Sequence, residues 1–137
     1  MKKKFILSFL IAIVLLVGIE TTFYFINRPK YTLHLPKVEN VISIEIEDKK
    51  IEELEKKKEI INILNGEGRI TKEASIQDTP INTEEKLKID FHFVEKGTST
   101  LFLYKRKNNF YIEQPYNGIY KITEREYEKI KKFSLEE

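Results

Sequence analysis

The chain has two histidines, His34 and His92, and no cysteine. With no thiolate, no HExxH and no histidine pair at helical spacing, there is little from which to build a zinc site. Both histidines read as exposed strand residues. No serine lies in a Gly-x-Ser-x-Gly turn, so an acyl-transfer nucleophile is not indicated. Asn65-Gly66-Glu67-Gly68-Arg69 contains glycines but follows a helical pattern, the wrong context for a phosphate cradle, and reads as a helix stop and a turn. Asp90 and Glu113 are the carboxylates that neighbouring strands could bring together for acid–base work. Asp78, within Gln77-Asp78-Thr79-Pro80-Ile81-Asn82, does not match the spacing of a calcium loop. These residues lead us to expect no catalytic centre, no metal and no cofactor.

Recognition is better supplied. Asn109 to Tyr120 holds Tyr111, Tyr116 and Tyr120 together with Glu113, Gln114 and Asn117, the rigid aromatic and amide groups typical of binding surfaces. Tyrosine is also an ordinary strand residue that packs its ring and leaves its hydroxyl wet. Arg69 and Asp78 add charged candidates from the least regular part of the chain, residues 66–85. A connection of that length without a clear period is commonly functional or mobile.

The elements that must position these residues follow from periodicity. Tyr31 to Leu35, between Pro29 and Pro36, suits an edge strand or an extended linker. Val41 to Glu47 alternates, with Ile42, Ile44 and Ile46 expected on one face, and Asp48-Lys49-Lys50 is expected to turn the chain. Glu52 to Leu64 reads as a helix with Leu54, Ile61 and Leu64 inward and the run Glu52 to Glu59 solvated. Arg69 to Ile76 could hold a short strand. Lys86 to Gln114 predicts a three-stranded antiparallel meander, turning at Lys96-Gly97 and Lys107-Asn108-Asn109. The strand Ser99 to Lys105 is apolar on both faces, as a central strand would be. Pro115 to Gly118 then turns into a short segment, Ile119 to Ile122. Thr123 with Glu126 forms a capping box, and Tyr127, Ile130 and Phe133 form the buried stripe of a last helix. The expected class is α+β: a small antiparallel sheet with two helices packed on one face.

Ahead of all this lies Phe5 to Ile26, an apolar run directly behind Lys2-Lys3-Lys4. As a helix it would span roughly 33 Å, enough for a hydrocarbon core of about 30 Å. The three lysines favour a cytoplasmic N-terminus, and Phe23, Tyr24 and Phe25 resemble an interfacial aromatic belt. Glu20, near the far end of the run, can reach the headgroup zone. A cleaved signal with its core at Phe5 to Val17, giving a secreted protein, is the alternative. The pairs Ile19/Thr21 and Glu20/Thr22 fit its cleavage rule poorly. The expected organisation is a basic cytoplasmic tail at 1–4, a signal-anchor helix at 5–26, a linker or edge strand at 27–37 and an extracytoplasmic domain at 38–137. The partner of residues 5–26 is then the lipid bilayer.

Beyond the first thirty residues about 107 remain, enough for one small domain. Without Lys2, Lys3, Lys4 and Glu20 the chain carries 21 residues of each sign. Nucleic-acid binding needs a net basic face, which this balance does not supply. The lack of cysteine suits an oxidising-enzyme-poor exterior, such as the outer face of many Gram-positive bacteria.

Four stretches carry a resemblance: Ile60 to Arg69, Asp78-Thr79-Pro80, Gly97 to Leu101 and Tyr111 to Tyr120. Through them the chain resembles a family of small membrane-anchored extracytoplasmic proteins of low-GC Gram-positive bacteria, described as a domain of unknown function. The resemblance implies the location and a single α+β domain, and carries over no catalytic residue. The expected role is non-enzymatic: binding a protein, peptide or envelope component at the cell surface. The alternatives are an immunity-type protein that shields its cell from a secreted peptide or toxin, and an envelope hydrolase using Asp90 or Glu113.

Overall fold

The structure, a computed structural model, describes all 137 residues. Helix α1 (Lys2–Ile26) is continuous over 25 residues and buries none of them. The hydroxyls of Ser8, Thr21 and Thr22 donate to carbonyls of their own helix at 2.7–3.0 Å, so these polar groups are satisfied without a partner. This is the one helix long and apolar enough to cross a membrane.

The remainder is a six-stranded antiparallel sheet in the order β2-β1-β3-β4-β5-β6, with two helices on one face. Strand β1 (Val41–Ile46) turns through Glu47 and Asp48 into β2 (Lys49–Ile51), a short edge strand where a turn alone was expected. Glu47 takes φ +53°, the left-handed geometry that tight hairpins demand. It is held there because its N–H donates to the Lys88 carbonyl (2.9 Å) and its carboxylate accepts from the Lys88 N–H (2.6 Å). Lys49-Lys50-Ile51 is too short and too polar to show a strand period, and only Ile51 enters the core.

Helix α2 (Leu54–Asn65) follows, then the long connection to β3 (Glu85–Phe93). Strand β3 returns beside β1, so the sheet grows in both directions from that pair. Strands β3, β4 (Thr98–Arg106) and β5 (Asn109–Gln114) form the expected meander. The β4–β5 turn places Lys107 and Asn108 at φ +48° and +62°, the pattern of a two-residue hairpin. Strand β6 (Gly118–Ile122) closes the sheet, and α3 (Glu124–Leu135) folds back across it. The capping box forms as read: Thr123 Oγ1 accepts from the Glu126 N–H (3.2 Å) and the Glu126 carboxylate accepts from the Thr123 N–H (2.8 Å).

Two inward-facing readings change. Ile42 is half exposed, because the β1–β3 register shifts between Val41 and Ser43, turning Val41 and Ser43 inward and Ile42 out. In α2 the buried stripe is Lys57, Ile60, Ile61 and Leu64, and Leu54 is exposed at the first turn. Lys57, expected in a solvated run, is buried because its ammonium donates to the carbonyls of Val41 (2.8 Å) and Ile42 (3.0 Å) at the irregularity.

The segment 31–37 forms no strand. Tyr31 makes an isolated bridge to Arg69, and Leu33 is buried in the core with Leu35 beside it, so this stretch is packed chain and not a free linker. Residues 66–84 likewise form no strand, only bridges at Arg69 and at Glu73, the latter to Ile119 of β6. They run along the β6 edge and cross to the sheet face away from the helices, where Ser75 meets Glu113. An otherwise open edge is thereby covered.

Candidate functional site

The sequence candidates divide into those that hold the fold and those that face solvent. Arg69 belongs to the first group, with a side chain only 6% exposed. Its guanidinium donates to the carbonyls of Ile63 (3.2 Å) and Leu64 (2.8 Å) at the end of α2, and to the Glu126 carboxylate (2.6 Å) at the start of α3. One side chain thus satisfies helix-terminal carbonyls and ties two helices together. Burial alone would raise the Glu126 pKa. The Thr123 N–H and the Arg69 cation outweigh it, leaving the carboxyl below its ordinary range.

Gln114 is also internal. Its side-chain amide pairs with the backbone of His34 on both sides, accepting from the His34 N–H (3.0 Å) and donating to its carbonyl (2.8 Å). It pins the incoming chain to β5. Asn117 donates to Gln114 Oε1 (2.6 Å) and completes this network. Tyr120 is fully buried, packed where a Cβ on Gly118 would lie 3.0 Å from its hydroxyl and 2.8 Å from Lys72 Cε. A larger residue there would require the end of the Lys72 side chain and the Tyr120 hydroxyl to shift.

Glu113 lies on the opposite face of β5, 4% exposed. Its carboxylate accepts from Ser75 Oγ (2.7 Å) and from the Tyr104 hydroxyl (3.1 Å). Burial first, and the adjacent Glu113 charge second, push the Tyr104 phenol well above its ordinary value. Tyr104 stacks on Tyr111 at 5.6 Å between ring centres, and the Arg106 guanidinium lies 4.9 Å over the Tyr111 ring. A cleft of about 120 Å³ lies here between the crossing loop and the sheet, lined by Ser75, Gln77, Arg106 and Glu113 among others. Ser75, Tyr104 and Arg106 escaped the sequence reading, since nothing local shows that a loop serine will meet a strand glutamate 38 residues on.

Asp90 is occupied elsewhere: Lys88 Nζ is 2.9 Å away and the Thr100 hydroxyl donates to it. It shares no hydrogen-bond partner with Glu113. His92 contacts Glu45 (3.3 Å) and Thr98 (3.2 Å), and His34 is exposed on a segment without strand structure. No three metal-ligating side chains converge.

Two candidates remain outward and are brought together. Tyr116 is 67% exposed at the tip of the β5–β6 turn, and Asp78 of the crossing loop lies beside its hydroxyl. Hydrogen bonding to Asp78, then burial and the Asp78 charge, hold the Tyr116 phenol above its ordinary value. The turn is closed by Asn117 N–H donating to the Gln114 carbonyl (2.9 Å), with Pro115 second and Tyr116 third at φ +61°. That arrangement is a type II turn, in which the third position normally falls to glycine or asparagine.

No protein of curated function and no solved structure matches the chain. A family model described as "Domain of unknown function (DUF5300)" matches residues 29–121, covering the sheet up to the penultimate residue of β6 and stopping short of α1 and α3. The match begins two residues before Tyr31, in keeping with the packed position of the 31–37 segment. The chain belongs to this family of domains.

Proposed function

We propose that this protein is a membrane-anchored binding module that displays its domain outside the cell and recognises a protein or peptide through the turn carrying Tyr116, with Asp78 and Asn117 beside it. The supporting observation is the backbone at Tyr116. A bulky aromatic held at φ +61° carries a conformational cost that glycine would avoid, and its ring gains no core packing in return. Such a cost is characteristic of positions retained for what the side chain does. The neighbours make the turn rigid: Pro115 restricts one residue, and the Gln114–Asn117–His34 network holds the base. A rigid exposed aromatic with a carboxylate alongside is a suitable anchor for a partner bearing an apolar pocket edged by cations or amides.

Anchoring is supported by α1, and the N-in orientation by Lys2, Lys3 and Lys4 ahead of it. The test is crosslinking in cells from a photoreactive residue placed at position 116, beside the same residue at the exposed Lys132. A discrete adduct from position 116 only, lost when Asp78 is changed to Ala, supports the reading. Equal background from both positions overturns it.

A further inference from the structure

The join between α1 and the domain is short. Five residue steps separate Ile26, the last of α1, from Tyr31. Tyr31 is docked by two backbone hydrogen bonds, its N–H to the Arg69 carbonyl (2.6 Å) and the Arg69 N–H to its carbonyl (2.8 Å). Fully extended, five steps reach at most about 18 Å. Whatever attitude the domain takes, Tyr31 stays within that distance of the end of the helix, and Arg69, its bridge partner, about 5 Å beyond it.

The chemistry of this face suits the surface it is tethered to. Ile70 is 53% exposed and Tyr31 37% exposed, both on the outside of the bridged pair of segments. Lys30 lies against Gly68, and Lys72 is exposed on the same loop. Lys121 joins them, since its N–H donates to Thr71 Oγ1 (3.3 Å). Arg28 sits 4.5 Å over the Phe25 ring and 5.1 Å over Tyr24, folded on the last turn of α1 where headgroups would lie. Across residues 27–31 and 66–72 the one acidic side chain is Glu67.

We propose that this face, formed by Tyr31, Ile70, Lys30, Lys72 and Lys121, seats the domain on the anionic phospholipid surface of the bilayer that α1 crosses. The apolar pair enters the interface and the lysines meet lipid phosphates, each strengthening seating about fivefold at low salt. The inference rests on the anchoring reading above, and adds that the domain is held in one attitude instead of swinging on a tether.

The chain has no cysteine, so single labelling sites can be introduced cleanly. The full chain carrying an environment-sensitive fluorophore at Thr71→Cys, or at Lys132→Cys on α3 as control, is reconstituted into vesicles of phosphatidylcholine with or without phosphatidylglycerol. Flotation reports anchoring, and acrylamide quenching of the label reports seating. The expected result is flotation in both lipids, with label 71 shielded and label 132 open in the anionic vesicles. Lys30→Gln/Lys72→Gln should then lower the seated-to-free ratio by about 25-fold while flotation persists. Flotation with both labels equally open overturns the seating alone. Equal shielding at position 71 in both lipids overturns the role of the anionic headgroup. Failure to float overturns the anchoring reading and the seating with it.

Discussion

At the residue scale, Tyr116 and Lys57 are opposite cases. Tyr116 occupies a strained backbone position and contributes an exposed ring. Tyr116→Gly should therefore leave the thermal midpoint unchanged or raise it by a few degrees while abolishing the adduct from a photoreactive residue placed at the neighbouring exposed Thr79, with Tyr116→Phe retaining most of it. Circular dichroism melts and the crosslinking assay measure the two effects separately. A large loss of stability in Tyr116→Gly would show that the ring serves the fold. Lys57 looked like one more charge on a solvated helix and instead satisfies two carbonyls at the β1 irregularity. Lys57→Met keeps the apolar stem but removes the donor, leaving those carbonyls unpaired. It should cost about 1–3 kcal/mol in urea unfolding, against almost nothing for Lys58→Met on the exposed side.

At the scale of elements, the contact between α2 and α3 depends on Arg69. Removing it leaves two helix-terminal carbonyls and the Glu126 carboxylate without their donor. Arg69→Ala should destabilise the domain by about 3–5 kcal/mol, the range for breaking a buried pair by deleting one partner. The acid dependence has a definite sign. The Glu126 pKa in the folded protein is depressed below its ordinary value of 4.5, so the unfolded chain binds the proton more readily. Its contribution is complete above pH 4.5 and is lost as pH falls through the folded-state value. The stability gap between the natural chain and Glu126→Gln, measured by urea titration at successive pH values, should close on acidification. A gap independent of pH would show that the carboxylate charge contributes nothing. The crossing loop is a second element-scale device: Ser75→Ala withdraws one of the two donors to the buried Glu113 carboxylate. Amide exchange near residues 73–77 should quicken in that variant, with helices α2 and α3 unaffected.

At the scale of the whole molecule, the short join keeps the Arg69 loop close to the end of α1, and the proposed lipid seating would add a fixed attitude to that fixed distance. The long connection 66–84 serves three tasks at once: it ends at Arg69 the gap between two helices, covers the β6 edge through Glu73, and closes over Glu113 through Ser75. Its lack of sequence period follows from that. Each residue answers to a different neighbour, so no common face is built up. Seating on lipid would leave the turn at Tyr116 at a fixed height relative to the membrane, a sensible arrangement for a module that meets a partner near the surface.

Local sequence alone determined the apolar helix, the alternating strand β3, the strand β4 apolar on both faces, the turn at Lys107-Asn108 and the capping box at Thr123, because each depends on residues within a turn or two of one another. It also determined the α+β class, and it offered Tyr116 and Asp78 as two among several candidate residues without ranking them above the others. Tertiary structure decided the rest. Gln114 became a clamp through His34, 80 residues away, and Arg69 became one through Glu126, 57 residues away. Glu113 is buried because a loop 38 residues earlier carries Ser75 onto it. A side chain's type shows that it can donate or accept, but whether it meets water or a distant backbone depends on which segments the sheet order brings together.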